Sequence, residues 1–531
     1  MPVSVVNMIP LSFSGETNQD SEPNVAVDPA DPALIAASAF TLDPDPNATH
    51  APIYISSDGG STWSLHSIVP YCQGITGDIT LRFASTTNHL YVGYLQTGGL
   101  GADLAVARTG DTTFTSEMEL ISQVESGDQP YIQAATVLAG PDAGKDRVYV
   151  GYSDGWASMH YSLDAAIAEP TFNTVILDAR GVEGGIGYDL PQVRTAIHPN
   201  GLIYAVFYSV HVGGPQVDVV VVRDDQWGEG AQPFTDLHDP DDAEAGRRVV
   251  KDVVIGDASF GQEAGEGELS IAVDPNDPGT LYIAWADEQP ATGYTLHVRR
   301  STDSGGSWPE SDELWTIPMA QNPALAVNSA GTVGFLFQQY RETRTGPRWE
   351  THFRYRADGF EEDLLLATVP GDTPVNAWGT YLGDYIHLMA IERDFYGAFC
   401  ANNTPDPDHF PNEVTYQRNH DFTMKKLFAL DGATDVPISI DPFFVKVTGI
   451  EERAHFFEHI YELSIDPLAL LLPSDVYGGL VEKFHPHEPK VADILAAAED
   501  MTDDERALVL ARARTLRAHA ERVEAALDEL T

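Results

Sequence analysis

The chain has 531 residues, 43% of them hydrophobic and 21% charged, which is the composition of a globular protein and excludes a disordered one. Its 80 Asp and Glu against 30 Lys and Arg leave a formal charge of −50, a field that repels phosphates and disfavours nucleic acid or an anionic membrane as partner. The same acidity suits either a soluble protein kept apart by its charge or adaptation to high salt.

In chain order, the opening MPVSVVNMIPLSFSGET lacks a basic n-region and has only a brief apolar patch, so it does not read as a secretory signal. With Met1 as the native start the expected location is the cytoplasm, and a trimmed N-terminus would leave secretion open. The longest apolar run, near Leu468–Leu472, is far too short to span a membrane. Cys72 and Cys400 are the only cysteines and make no disulfide framework.

Repetition dominates the next four hundred or so residues. EPNVAVDPADPALIAASAF (22–40) and ELSIAVDPNDPGTLYIAWA (268–286) each read as a strand, a DP-rich turn and a second strand. Looser copies begin at Asp78, Gln129, Gln192, Asn322 and Asp384, each followed by an apolar second strand. A third strand recurs as IYIS, DLAVAR, SMHYS, DVVVVR, LHVRR, THFRYR and VTYQR. Most copies run into an acidic turn residue: Asp58, Asp111, Asp164, Asp224, Asp303, Asp358 or Asp421. Seven copies, each with three clear strands and a weaker fourth, predict an all-β seven-bladed propeller. Its blades run from about residue 15 to about 430 within a domain of residues 1–445.

The tail differs. VPISIDPFFVKV (436–447) reads as one more strand, packed on the propeller or closing it. Residues 446–531 are expected to be mostly helical, with Leu508, Ala511, Leu516, Val523, Ala526, Leu527 and Leu530 forming an apolar stripe. That stripe would dock on its own domain or pair with another subunit, making a homo-oligomer.

Two third-strand connections are nearly identical, IYISSDGGSTW (53–63) and VRRSTDSGGSW (298–308). Their skeleton is Ser56, Asp58, Gly60 and Trp63, repeated as Ser301, Asp303, Gly305 and Trp308. The Asp accepts amide hydrogen bonds of the turn, Gly supplies a positive φ and Trp packs over the result. On these residues the chain resembles the BNR or Asp-box β-propellers of the sialidase-like superfamily, over about four fifths of its length. The resemblance implies that these turns are structural and lie at the blade periphery.

Aligned first strands give one polar column, Glu22, Asp78, Gln129, Gln192, Glu268, Asn322 and Asp384. In a propeller these entry residues ring one mouth of the central channel, with Asp128, Asp189 and Glu266 beside them. They either cap blade connections or bind a ligand there. No cofactor is required, and Ca²⁺ is the ion such a ring of oxygens would take. The resemblance further implies, for an active member, arginines gripping a substrate carboxylate, a Tyr nucleophile activated by Glu, and an Asp acid/base. Residues of those types are Arg82, Arg194, Tyr385, Glu268 and Asp78, although the Arg-Ile-Pro signature is missing. Arg108, Arg223, Arg299, Arg354 and Arg418, on third strands, are expected to make inter-blade salt bridges.

RAHFFEHIYEL places His455, Glu458 and His459 as H-x-x-E-H, a spacing that on a helix can hold Zn²⁺. The Asn/Pro/Asp-rich stretch after FYGAFCA forms a long loop in the seventh blade, either a recognition loop or a cap. The leading expectation is a non-catalytic binding or assembly platform for a glycan or protein ligand. The alternative is a sialidase-like glycoside hydrolase of exo-α-sialidase type.

Overall fold

The computed structural model describes residues 2–450, apart from 41–50, 71–74, 99–100, 182–189, 212–215, 256–267, 290–292, 345, 358–359, 372 and 375–381. Cys72, Asp358, the tail helix and the H-x-x-E-H residues lie outside the described residues, as does the expected helical region from 451 onward.

Six sheets are four-stranded antiparallel meanders in chain order, and a seventh sheet holds five strands. The first strands are Ser21–Val27, Ile75–Phe83, Asp128–Thr136, Val193–Ile197, Ser270–Asp274, Ala320–Val327 and His387–Ile391. Neighbouring first strands lie against one another, which makes them the inner wall of a seven-bladed propeller. The apolar core is divided into wedges. Each wedge joins two adjacent blades: Ala36, Ile53, Ile79, Leu81 and Val92 fill the one between blades 1 and 2. Val219, Val221, Leu281, Ile283 and Trp285 fill the one between blades 4 and 5.

Blade 7 departs from the sequence reading. Its third strand is Ile440–Val447, and its fourth is the N-terminal Val3–Asn7, paired from Val3 with Val447 to Asn7 with Phe443. The expected third strand VTYQR supplies only Thr415–Tyr416, which pairs in parallel with the outer edge of Val3–Asn7. Asp421 fastens a separate small hairpin, Asn419–Asp421 with Lys426–Phe428. The propeller therefore begins at Val3 rather than near residue 15. The physical reason is distance in sequence: a strand that completes a sheet from the far end of the chain carries no local signal of its partner.

The two repeated turns connect third to fourth strands, away from the axis, and are bonded alike. Asp58 Oδ1 accepts the Thr62 amide at 2.9 Å and Oδ2 the Thr62 hydroxyl at 2.7 Å. Asp303 does the same with the Ser307 amide and hydroxyl at 2.9 and 2.7 Å. In each turn the indole N–H closes back on a glycine carbonyl at 3.0 Å. Where Gly and Trp do not stand at that spacing from the acid, the acid still fastens the turn, as Asp224 does by accepting the amides of Gly228 and Phe234 at 2.7 and 2.9 Å. The tryptophans fill wedges. Trp63 meets Phe444 of blade 7 edge-on at 5.3 Å, and Trp308 packs among the valines of blade 4.

The third-strand arginines also differ from expectation. Arg108, Arg299 and Arg354 pair with Glu119, Glu313 and Asp363 on the fourth strands of their own blades. Arg108 and Arg299 reach the neighbouring blade through backbone carbonyls instead, Arg108 those of Ala165 and Ile167 and Arg299 that of Val249.

Gly60 is the most constrained of these positions, with φ of +93°, and a Cβ added there would stand only 2.0 Å from Phe444 Cε1. Gly60→Ala must both strain the backbone and displace Phe444 from the closing blade. Destabilisation of about 3 kcal/mol or more is expected, read as a lowered denaturation midpoint. A loss below about 1 kcal/mol would show that the turn is not held against blade 7.

Candidate functional site

The seven column residues stand at the start of the first strands, and none is more than 7% exposed. The backbone turns them there. Glu22, Gln129, Gln192 and Asn322 have φ between +44° and +55°. The ladders shift register at three of these points, between Ser21 and Asn24, Asp128 and Tyr131, and Gln321 and Ala324, and also at Asp78, between Thr76 and Ile79. A bulge leaves one residue unpaired and re-aims its side chain. In three of these cases the next residue is proline (Pro23, Pro130, Pro323), which has no amide to leave unbonded.

Below the ring lies a second tier. Strand alternation sends residue i+2 to the face of residue i, and the axial cavity is lined by all seven such residues: Asn24, Thr80, Tyr131, Arg194, Ser270, Ala324 and Ile386. The cavity measures about 10 Å³, room for about one water. Two arginines fill much of the axis. Arg194, from blade 4, lies 5.2 Å from the Tyr131 ring and 5.9 Å from the Tyr385 ring, and its Nη2 donates to Gln129 Oε1 at 2.8 Å. Arg82, from blade 2, donates to Asn24 Oδ1 at 3.0 Å and to His387 Nε2, and lies 5.6 Å from the Tyr131 ring. Among the described residues neither guanidinium has a carboxylate within 4.0 Å, and burial pushes the pKa of both down.

The structure brings together Glu22, Asp78, Asp384, Arg194 and Tyr385. The Asp78 carboxyl is pushed well above the usual range by burial first, then by the charges of Glu22 and Asp128, with Arg194 partly opposing. Tyr385 is pushed up by burial and by Asp78, Glu22 and Asp384, and its hydroxyl has no hydrogen-bond partner among the described residues. His387 is pushed well down by burial and by the two arginines, so it serves as a neutral acceptor.

Glu268 is not in this group. Its carboxylate accepts from the Tyr294 hydroxyl, and its amide donates to Gln192 Oε1 at 3.2 Å. Asn322 is spent on the Gly383 carbonyl and Gln338 Oε1, both at 2.9 Å. Sequence reading missed Tyr131, His387 and Asn24. Tyr131 and Asn24 are carried by the column two residues past the ring. The ring is thus a dry collar under which arginines and tyrosines meet, rather than an open acidic mouth.

No family model and no curated protein matches the chain. Among solved structures it is similar to the α-L-arabinofuranosidase Arb93A from Fusarium graminearum, at 12% identity over 82% of this chain and 97% of that one, with a TM-score of 0.40. It is also similar to the phage phi92 endosialidase, at 12% identity over 84% and 69% with a TM-score of 0.40. A third is the Hadza microbial sialidase Hz136, at 13% identity over 73% and 64% with a TM-score of 0.36. The expectation of a non-catalytic platform is corrected here, because these propellers are glycoside hydrolases. At such identities the likeness extends to the fold and assigns no reaction to this chain.

Asp78 has a pH consequence. Its pKa is raised on folding, so its contribution to stability is complete below the unfolded value near 3.9 and is lost as pH rises through the folded value. Asp78→Asn, which mimics the neutral acid, is expected to melt increasingly above wild type as pH rises from about 4 to 8. A melting difference independent of pH would mean that Asp78 is ionised throughout.

Proposed function

We propose that the chain is a glycoside hydrolase of the Asp-box, sialidase-like class, acting at the axial end on a sugar that bears a carboxylate. The carrying observation is the pair Arg82 and Arg194, both buried with no carboxylate within 4.0 Å among the described residues, beside the unpartnered Tyr385 hydroxyl. A buried charge calls for a counter-charge, and a guanidinium suits a carboxylate best. The repeated Ser-x-Asp-x-Gly-x-Ser/Thr-Trp turns support the Asp-box assignment, and the missing Arg-Ile-Pro signature leaves the substrate grip to these two arginines.

In this reading Tyr385 is the nucleophile. Glu22 takes the activating role expected of Glu268, because Glu22 and not Glu268 bears on the Tyr385 hydroxyl. Glu22 takes the Tyr385 hydroxyl proton as the Tyr385 oxygen bonds to the anomeric carbon, while Asp78, held protonated, donates its proton to the leaving oxygen as the glycosidic C–O bond breaks. Water, deprotonated by Asp78, then displaces tyrosine, which recovers its proton from Glu22, with net retention. A cavity for one water admits no sugar ring, so turnover on this reading requires Tyr131 and Tyr385 to part from Arg194.

The test is hydrolysis of a fluorogenic sialoside beside a neutral arabinofuranoside. Turnover of the sialoside is expected, with kcat falling on the order of 10²–10⁴-fold in Tyr385→Phe. Preference for the neutral arabinofuranoside would overturn the acidic substrate. No turnover of any glycoside, or full activity in Tyr385→Phe, would overturn the mechanism.

A further inference from the structure

A second group of charges lies where the ends of the propeller meet. Asp20 and Asp441 are 1% and 0% exposed. The Asp20 amide donates to the Ile440 carbonyl at 2.9 Å, and the Cys400 thiol donates to the Asp20 carbonyl at 3.1 Å. Both oxygens of the Asp441 carboxylate accept hydrogen bonds. Its Oδ2 accepts from Arg418 Nη1 at 2.7 Å and Asn7 Nδ2 at 2.8 Å, and its Oδ1 from the Ser439 hydroxyl at 3.1 Å.

Into this pair points Glu16, itself only 8% exposed. Its Oε1 accepts the Asn18 amide, and its Oε2 is buried with no hydrogen-bond partner among the described residues. A carboxylate oxygen stripped of water normally recovers a donor or a cation. Arg418 does not donate to it: its Nε and Nη2 go to the carbonyls of Ser14, at 3.2 and 2.8 Å, and Glu16, and its Nη1 to Asp441. Three carboxyl groups share one guanidinium here, and burial with the charges of Asp20 and Asp441 pushes the Glu16 carboxyl up to about 10, so a cation bound there displaces its proton.

We propose that Glu16, Asp20 and Asp441 hold a Ca²⁺ ion. One oxygen from each lies within 4.8 Å of the other two. Ca²⁺ binds oxygen at 2.3–2.6 Å, so its ligands stand up to about 5 Å apart across the ion. The donors are hard carboxylate oxygens, and the nearby Cys400 thiol is turned to a backbone carbonyl, which sets the site apart from one for a soft metal. Glu16 and Asp20 precede the first strand of blade 1, and Asp441 belongs to the third strand of blade 7. The ion therefore ties the entry of the first blade to the last, independently of the axial chemistry.

The experiment uses the full chain stripped with EGTA, with equilibrium dialysis against ⁴⁵Ca²⁺ and melting curves in EGTA and in millimolar Ca²⁺. The proteins are wild type, Glu16→Gln and Asp78→Asn. Glutamine keeps the Oε1 acceptor for Asn18 and removes the charge. Wild type is expected to bind one more Ca²⁺ per chain than Glu16→Gln. Ca²⁺ should raise the melting temperature of wild type and Asp78→Asn but not of Glu16→Gln, because binding stabilises the folded state by mass action. Equal Ca²⁺ uptake by wild type and Glu16→Gln overturns the site. Loss of the shift in Asp78→Asn instead moves the ion to the axial ring and overturns it equally. A wild type whose melting ignores Ca²⁺ overturns it without recourse to any variant.

Discussion

Everything in this propeller rests on one pairing, that of Val3–Asn7 with Ile440–Val447. Six blades are built from consecutive strands and need only local hairpins. The seventh is completed by the two ends of the chain, and only then is the ring free of an open edge between first and last blades. Packing follows the closure. Phe444, in the strand that receives the N-terminus, meets Trp63 of the first repeated turn, and the wedge between blades 7 and 1 gathers Val6, Ile35, Tyr54 and Tyr396 around them. Arg418 and Asp441, both wholly buried, brace the same junction, so polar and apolar contacts there serve one joint.

The closed ring creates the electrostatic setting of the axis. Seven strands converge on a space too small for bulk solvent, and alternation forces one residue in two to face inward. At the rim these residues are acids and amides that can hydrogen-bond to the next blade, as Gln192 does with the Glu268 amide. One tier down, most are small or apolar, and Tyr131 and Arg194 stand out. A chain with a net charge of −50 keeps two buried guanidinium groups, neither with a carboxylate within 4.0 Å among the described residues, by its axis. That concentration of positive charge within an acidic protein is the feature most in need of a chemical purpose. On the proposed reading an acidic sugar supplies one.

The periphery and the axis treat buried charge in opposite ways. The repeated Asp turns are saturated with hydrogen bonds and their tryptophans fill wedges between blades. Their carboxylates sit below the ordinary range because the Thr62 and Ser307 bonds favour the charged form despite the cost of burial. At the axis the balance runs the other way. Asp78 and Tyr385 are pushed toward their neutral forms by burial and like charge.

Short-range pattern along the chain was enough to establish the repeat, the number of blades, the two fastened turns and the ring of entry residues. Strand alternation, DP turns and the Ser-x-Asp-x-Gly spacing are each written within a few residues. The column two residues beyond the ring, which lines the cavity, was present in the same alternation but went unread. Folding in three dimensions was needed to show that Val3–Asn7 closes blade 7, that Glu22 rather than Glu268 stands by Tyr385, and that Glu16, Asp20 and Asp441 converge. These groupings join residues from different blades or from opposite ends of the chain. Their distances are fixed by how seven sheets close around an axis, and no local pattern of residues encodes that closure.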